Sequence, residues 1–188
     1  MRLPRAPTDS RRETPMELLW APWRLAYVAN PKPIPRADDC FLCRGLAETN
    51  DRENLIVHRT AHSIVVLNRF PYNNGHLLVA PLRHAARLDE LTDGELLDLQ
   101  RTLIRMQAAL EATITPDGFN VGLNLGRVAG AGLPGHLHWH IVPRWTGDTN
   151  FMPVLTDAKV IVQSLDSLWE LLHRELSTPT PSPAGAPR

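Results

Sequence analysis

Cysteine is scarce: two residues in a chain of 188, both inside the unit Cys40-Phe41-Leu42-Cys43. That excludes a disulfide framework and points to a reducing, cytoplasmic setting in which the pair is half of a metal site. Charge of one sign is also lacking, since 20 Lys and Arg balance 20 Asp and Glu. A bulk electrostatic pull on nucleic acid or an anionic membrane surface is therefore not expected, and any phosphate must be held by local groups. No apolar run approaches the roughly 20 residues that span a bilayer. The first fifteen residues carry Arg and Pro without an apolar segment, unlike a secretory signal.

What is present reads as one domain with a core large enough to fold unaided. Residues 1–15 and 177–188 are Pro-rich and poor in apolar side chains, so both are expected to be disordered tails around a domain at 16–176. The segment Leu18-Leu19-Trp20-Ala21-Pro22-Trp23-Arg24 reads as an aromatic anchor for the domain or for a partner subunit. The cysteine pair is expected in a turn. Strands are expected at Leu55–Val57, Ile64–Leu67, His76–Pro81 and Phe119–Leu125. Thr92-Asp93-Gly94-Glu95 fits a capping box, and Leu96, Leu99, Leu103, Met106 and Leu110 then recur every three or four residues. This predicts a helix that stops before Pro116. A second helix is expected over about 158–176. The sum is an α+β domain: a five-stranded antiparallel sheet, one central helix and a C-terminal helix.

The fifth strand holds the strongest signal, His136-Leu137-His138-Trp139-His140-Ile141-Val142. A period of two sends the three imidazoles to one face of a strand and Leu137, Trp139 and Ile141 to the other. A solvated face would more usually carry Thr, Lys or Glu. Three aligned imidazoles fit a site that uses neutral nitrogens near pH 7, or a metal-binding tract.

This run resembles the signature of the histidine triad family, and the resemblance extends over about residues 20–163. Leu67-Asn68-Arg69 through Gly75-His76-Leu77-Leu78-Val79-Ala80-Pro81 resembles the family's nucleoside-binding strand and loop. Gly118-Phe119-Asn120-Val121-Gly122-Leu123-Asn124-Leu125-Gly126 resembles the strand before the triad. The stretch Val142-Pro143-Arg144-Trp145-Thr146-Gly147-Asp148-Thr149-Asn150-Phe151 resembles the bacterial branch that includes diadenosine tetraphosphate phosphorylases.

The resemblance implies an α-phosphate bound over His138, with that residue as nucleophile, and release of the nucleotidyl group to water or inorganic phosphate. It implies a hydrogen bond from His140 to the phosphate and support from His76, which taken alone would read as a half-buried structural histidine. It also implies an adenine nucleotide or dinucleoside polyphosphate substrate, with Asn68 at the ribose and Asn124 at a phosphate or the ribose. Gly132, in the glycine-rich loop before the triad, would offer backbone amides to phosphate. Trp145 would stack on a base or serve the core or an interface. Family members dimerise, so a homodimer is expected. Zinc-bearing members complete a Cys pair with two histidines, which here are His84 and His136. That implies one structural zinc per chain on Cys40, Cys43, His84 and His136, against a redox or idle Cys pair.

The chain also departs from the family pattern. Relatives place Ser, Thr or Gln in the loop before the triad, whereas this chain has Gly132-Leu133-Pro134-Gly135, without a side-chain donor. Three readings therefore stand: a dinucleoside polyphosphate hydrolase or phosphorylase, a nucleoside phosphoramidate or adenylyl hydrolase, and a zinc-stabilised nucleotide-binding protein with little turnover.

Overall fold

The computed structural model describes residues 39–148 and 161–178. Five antiparallel strands form one sheet in the order β1-β2-β3-β5-β4. They are β1 (Ile56–Arg59), β2 (Ser63–Leu67), β3 (Leu77–Pro81), β4 (Gly118–Leu123) and β5 (Trp139–Arg144). Three helices accompany them: α1 (Phe41–Ala47), α2 (Asp93–Ile114) and α3 (Leu165–Ser177). The fold is the α+β sheet expected from the sequence. The expected tails and the Trp20–Trp23 segment lie outside the described residues.

Alternation along the strands gives the sheet two buried faces. Val65, Leu67, Leu77, Val79, Trp139 and Ile141 point to one side and meet Leu99, Leu103, Met106 and Leu110 of α2 with Leu168 and Leu172 of α3. Ile64, Val66 and Ala80 point to the other, where Cys40, Leu42 and Leu133 cover them. The capping box of α2 forms as expected: the Thr92 side chain accepts from the Glu95 amide, and Glu95 accepts from the Thr92 amide. The helix ends at Ile114, and Thr115 turns the chain with a left-handed φ of 43° ahead of Pro116. Trp169 ties α3 to the sheet by donating its indole N–H to the Ile56 carbonyl at 2.8 Å.

Three details differ from the sequence expectations. The cysteine pair opens helix α1 rather than a turn. Cys40 is its N-cap, with Sγ accepting from the Cys43 amide, and Leu42 and Gly45, three residues apart, are its buried positions. The triad strand begins at Trp139, so His136 and His138 precede the ladder. Pro81 ends β3 opposite them and has no N–H to continue the pairing; its carbonyl instead faces His136 Nε2 at 2.9 Å. The last helix starts at Leu165, where Ser164 caps it.

Candidate active site and metal centre

Strand register puts the site on the α1 side of the sheet. Val66 pairs with Leu78, Leu78 with His140, and His140 with Gly122. Directly opposed residues share a face, so these four form one row across β2, β3, β5 and β4. Over the β2–β3 end of that row lies a cavity of about 460 Å³, lined by Phe41, Arg44, Leu55, Val66, Asn68 and Leu78 among others. The sequence reading missed Phe41 and Arg44. Their only signal was a place inside and just after the cysteine pair, and without helix α1 nothing aimed them at a pocket.

The histidine face is buried as well as the apolar one: His136 is fully enclosed, and His76 and His138 nearly so. Hydrogen-bond partners assign the tautomers. His138 Nδ1 lies 2.8 Å from the His136 carbonyl oxygen, which can only accept. Nδ1 therefore carries the proton and Nε2 keeps its lone pair. His76 Nδ1 accepts from the Tyr72 amide at 3.0 Å and from Asn68 Nδ2 at 3.2 Å. Its Nε2 must then donate to His140 Nδ1, 2.9 Å away. That leaves the proton of neutral His140 on Nε2, a buried nitrogen with no hydrogen-bond partner among the described residues. Burial, reinforced by nearby His138, lowers His140 to about 4; burial also lowers His138, against the pull of the His136 carbonyl. Both rings are thus neutral at pH 7.

Asn68 lines the cavity and is also spoken for within the protein. Its Oδ1 accepts from the Phe70 amide at 3.0 Å, which turns the amide nitrogen toward His76. Tyr72 lies over the pair of rings, 4.6 Å from His76 and 5.7 Å from His140 between centroids. Tyr72 belongs to the turn between β2 and β3 that Gly75 closes. That turn needs its glycine: Gly75 has φ +76°, and a Cβ there would meet Ile114 Cδ1 at 2.6 Å.

The remaining expected residues divide. Asn124 follows Leu123, the partner of Trp139, and donates a long 3.4 Å bond to the Gly130 carbonyl. Gly132 is exposed in the loop that returns to His136. Trp145 sits beyond the opposite end of β5, its indole donating to the Thr115 carbonyl at 3.1 Å. The structure does not bring it to the histidines.

A second cluster joins Cys40, Cys43, His84 and His136, whose ligand atoms all lie within 4.8 Å of one another. His136 donates Nε2–H to the Pro81 carbonyl, so its Nδ1 lone pair faces Cys40 Sγ at 3.3 Å. His84 Nδ1 is 3.2 Å from Cys43 Sγ. Two thiols and two imidazole nitrogens converging at these separations fit a closed tetrahedral zinc site, in which Zn–S is about 2.3 Å and Zn–N about 2.0–2.1 Å. Burial, together with the adjacent Cys40, pushes the Cys43 thiol up to about 11. Burial likewise lowers His136 to about 4, helped by His84 and His138 and opposed by the Pro81 carbonyl. A cation bound at Cys43 Sγ would displace that proton to solvent and hold the sulfur as thiolate.

Residues 49–147 match the HIT domain family. The chain belongs to the HIT family. The HIT chain is 39% identical over 165 residues to the AP-4-A phosphorylase of Mycobacterium tuberculosis, covering 85% of this chain and 84% of that one. It is 37% identical over 93 residues to a bis(5'-nucleosyl)-tetraphosphatase of Schizosaccharomyces pombe, half of each chain. Among solved structures, a Zn-bound histidine triad family protein from Mycobacterium smegmatis shares the fold with TM-score 0.60 at 21% identity, covering 76% of this chain and 96% of that one. The phosphorylase and the tetraphosphatase are enzymes acting on nucleotides. Among the described residues, no helix of this HIT protein is long and apolar enough to cross a membrane.

Proposed function

We propose that this HIT protein is an enzyme that transfers a nucleotidyl group from a dinucleoside polyphosphate to inorganic phosphate or water through His138. One observation carries the reading: the His138 Nδ1 proton is held by the His136 carbonyl, so Nε2 stays unprotonated in a ring 5.0 Å from that of His140, whose strand partner Leu78 lines the nucleoside-sized cavity. The 39% identity to an AP-4-A phosphorylase over most of both chains supports the substrate class.

The nucleoside fits the cavity between Phe41 and Leu78, with Asn68 at its rim. The α-phosphate then lies over His138 and His140. Nε2 of His138 attacks phosphorus, a nucleotidyl-His138 bond forms, and the P–O bond to the leaving polyphosphate breaks. Phosphoryl transfer of this type depends on in-line placement and charge stabilisation. The unmatched Nε2–H of His140 supplies a donor for the phosphate or the leaving oxygen. The chain Asn68–His76–His140 holds that proton where it is needed. Phosphate or water then attacks from the vacated side and regenerates the imidazole.

A single zinc on Cys40, Cys43, His84 and His136 is structural in this reading, supplying a fixed positive charge that keeps the thiolates deprotonated. Both cysteines are free, which suits a cytoplasmic setting, and the assembly we expect is a homodimer.

Turnover of diadenosine tetraphosphate with and without inorganic phosphate tests the proposal. ADP and ATP appearing only with phosphate selects phosphorolysis, and AMP and ATP without it selects hydrolysis. No product under either condition rejects the reading.

A further inference from the structure

A histidine ring turns about a broad, roughly two-fold torsion, so one hydrogen bond can settle its tautomer without settling where its other nitrogen points. His140 is in that position. His76 Nε2, 2.9 Å from His140 Nδ1, leaves the His140 proton on Nε2, yet the aim of that N–H depends on what packs against the ring. Besides His76, two rings do so. His138 meets it edge-on, with centroids 5.0 Å apart at 64°. Tyr72 lies nearly flat against it, with centroids 5.7 Å apart at 18°.

Core packing does not account for Tyr72, since 51% of it is exposed. Its contacts converge on the two histidines beside the nucleophile. The Tyr72 ring is 4.6 Å from that of His76 at 38°, and its amide donates to His76 Nδ1 at 3.0 Å. The turn that carries it is tied to the triad strand. Asn73 donates from Nδ2 to the Pro143 carbonyl at 3.1 Å and to Asp148 Oδ2 at 2.8 Å, and Pro143 lies on β5, three residues after His140. The Asn73 carbonyl accepts from the His76 amide at 3.2 Å. Tyr72 is thereby held in register with both rings.

We infer that Tyr72 is a positioning residue for nucleotidyl transfer, whose ring stacks on His140 and keeps its Nε2–H aimed at the phosphate. The inference rests on the reading of His138 as nucleophile and His140 as phosphate donor. One residue then serves both supporting histidines: its main-chain amide engages His76, and its ring sets the plane of His140. Offset stacking is favourable enough to bias a soft torsion, and a hydrogen bond weakens steeply as its donor turns away. A donor already aimed also needs no reorganisation as charge develops on the phosphate. No bond to Tyr72 forms or breaks in the reaction.

Tyr72→Leu and Tyr72→Phe are compared with wild type by kcat and KM on diadenosine tetraphosphate with inorganic phosphate, by thermal midpoint, and by the proton NMR signals of the His140 ring. Tyr72→Leu should lose about 3- to 10-fold in kcat, the span that one aromatic contact covers, with KM and midpoint close to wild type. Its His140 signals should move out of the shielding of the tyrosine ring and broaden as the imidazole gains freedom. Tyr72→Phe keeps the ring and should restore both kcat and the signals. In a His140→Ala background the leucine substitution should cost less than about twofold, because the two side chains act as a unit. Equal kcat losses in Tyr72→Phe and Tyr72→Leu would assign the effect to the hydroxyl and overturn the inference. So would a rise in KM with kcat intact, sharp and unshifted His140 signals in Tyr72→Leu, or the same kcat loss with and without His140. Failure of the wild type to turn over the substrate would instead reject the functional reading, and the inference with it.

Discussion

His138 donates its Nδ1 proton to the main-chain carbonyl of His136 at 2.8 Å, while the side chain of His136 faces the two cysteines. A single residue thus joins the metal-ligand cluster to the nucleophile, with its ring on one and its carbonyl on the other. Backbone fixes the His138 tautomer here, where many nucleophilic sites use a carboxylate.

The first prediction concerns that ring. His138→Gly should lower kcat on diadenosine tetraphosphate by about 10³-fold or more, as removal of a covalent nucleophile does, with AMP affinity changing far less. Rapid-quench trapping should detect a nucleotidyl adduct on the wild type alone. Turnover persisting in the glycine variant would exclude His138 as nucleophile.

The orienting chain predicts a milder phenotype. His76→Ala removes the partner that keeps the His140 proton on Nε2, so kcat should fall about 10- to 100-fold, in the range of a lost supporting hydrogen bond. KM should move little, since His76 lies beneath the site. Steady-state kinetics with KM rising and kcat intact would place His76 in substrate binding instead.

Metal removal should act on stability and on the pocket together. Cys40 and Cys43 hold the first turn of α1, and Phe41 and Arg44 of the same helix wall the cavity. Metal analysis should return one zinc per chain. Cys43→Ser should lose it, with a lower thermal midpoint and weaker AMP binding. A Cys43→Ser protein with wild-type midpoint and no metal in either form would rule out the structural site.

Glu95 gives the pH dependence. Arg83 at 2.9 Å and the Thr92 amide hold its carboxylate at about 2, below the ordinary 4.5. A depressed folded value means that the unfolded chain binds more protons between these limits, so the stabilisation is complete above about 4.5 and is lost as pH falls toward 2. Arg83 is half exposed, which screens the pair. Glu95→Gln should therefore cost about 1–2 kcal/mol at pH 7, the scale of a lost cap. Denaturant titrations of both proteins should converge as pH drops below 4; a gap that widens there would contradict the assignment.

Backbone geometry yields the last test. Gly75→Ala forces a side chain onto a φ of +76° and against Ile114, so it should destabilise by about 2 kcal/mol or more. It should also disturb His76, the next residue. Chemical denaturation showing a neutral substitution would mean that the turn yields.

Much of this protein is written locally. The capping box at Thr92, the apolar spacing through Leu110 and the alternation about Trp139 each depend on neighbours a few residues away, so the sequence alone determined α2, the sheet and the histidine triad. It did not determine that Cys40 starts a helix, because a seven-residue helix has little stability of its own and owes its form to packing on the sheet. Nor could it show that Asn68 orients His76, that Tyr72 covers the rings, or that Trp145 ends far from them. Those outcomes depend on strand register and on hydrogen bonds between segments distant in the chain, and only tertiary packing brings such groups within reach of one another.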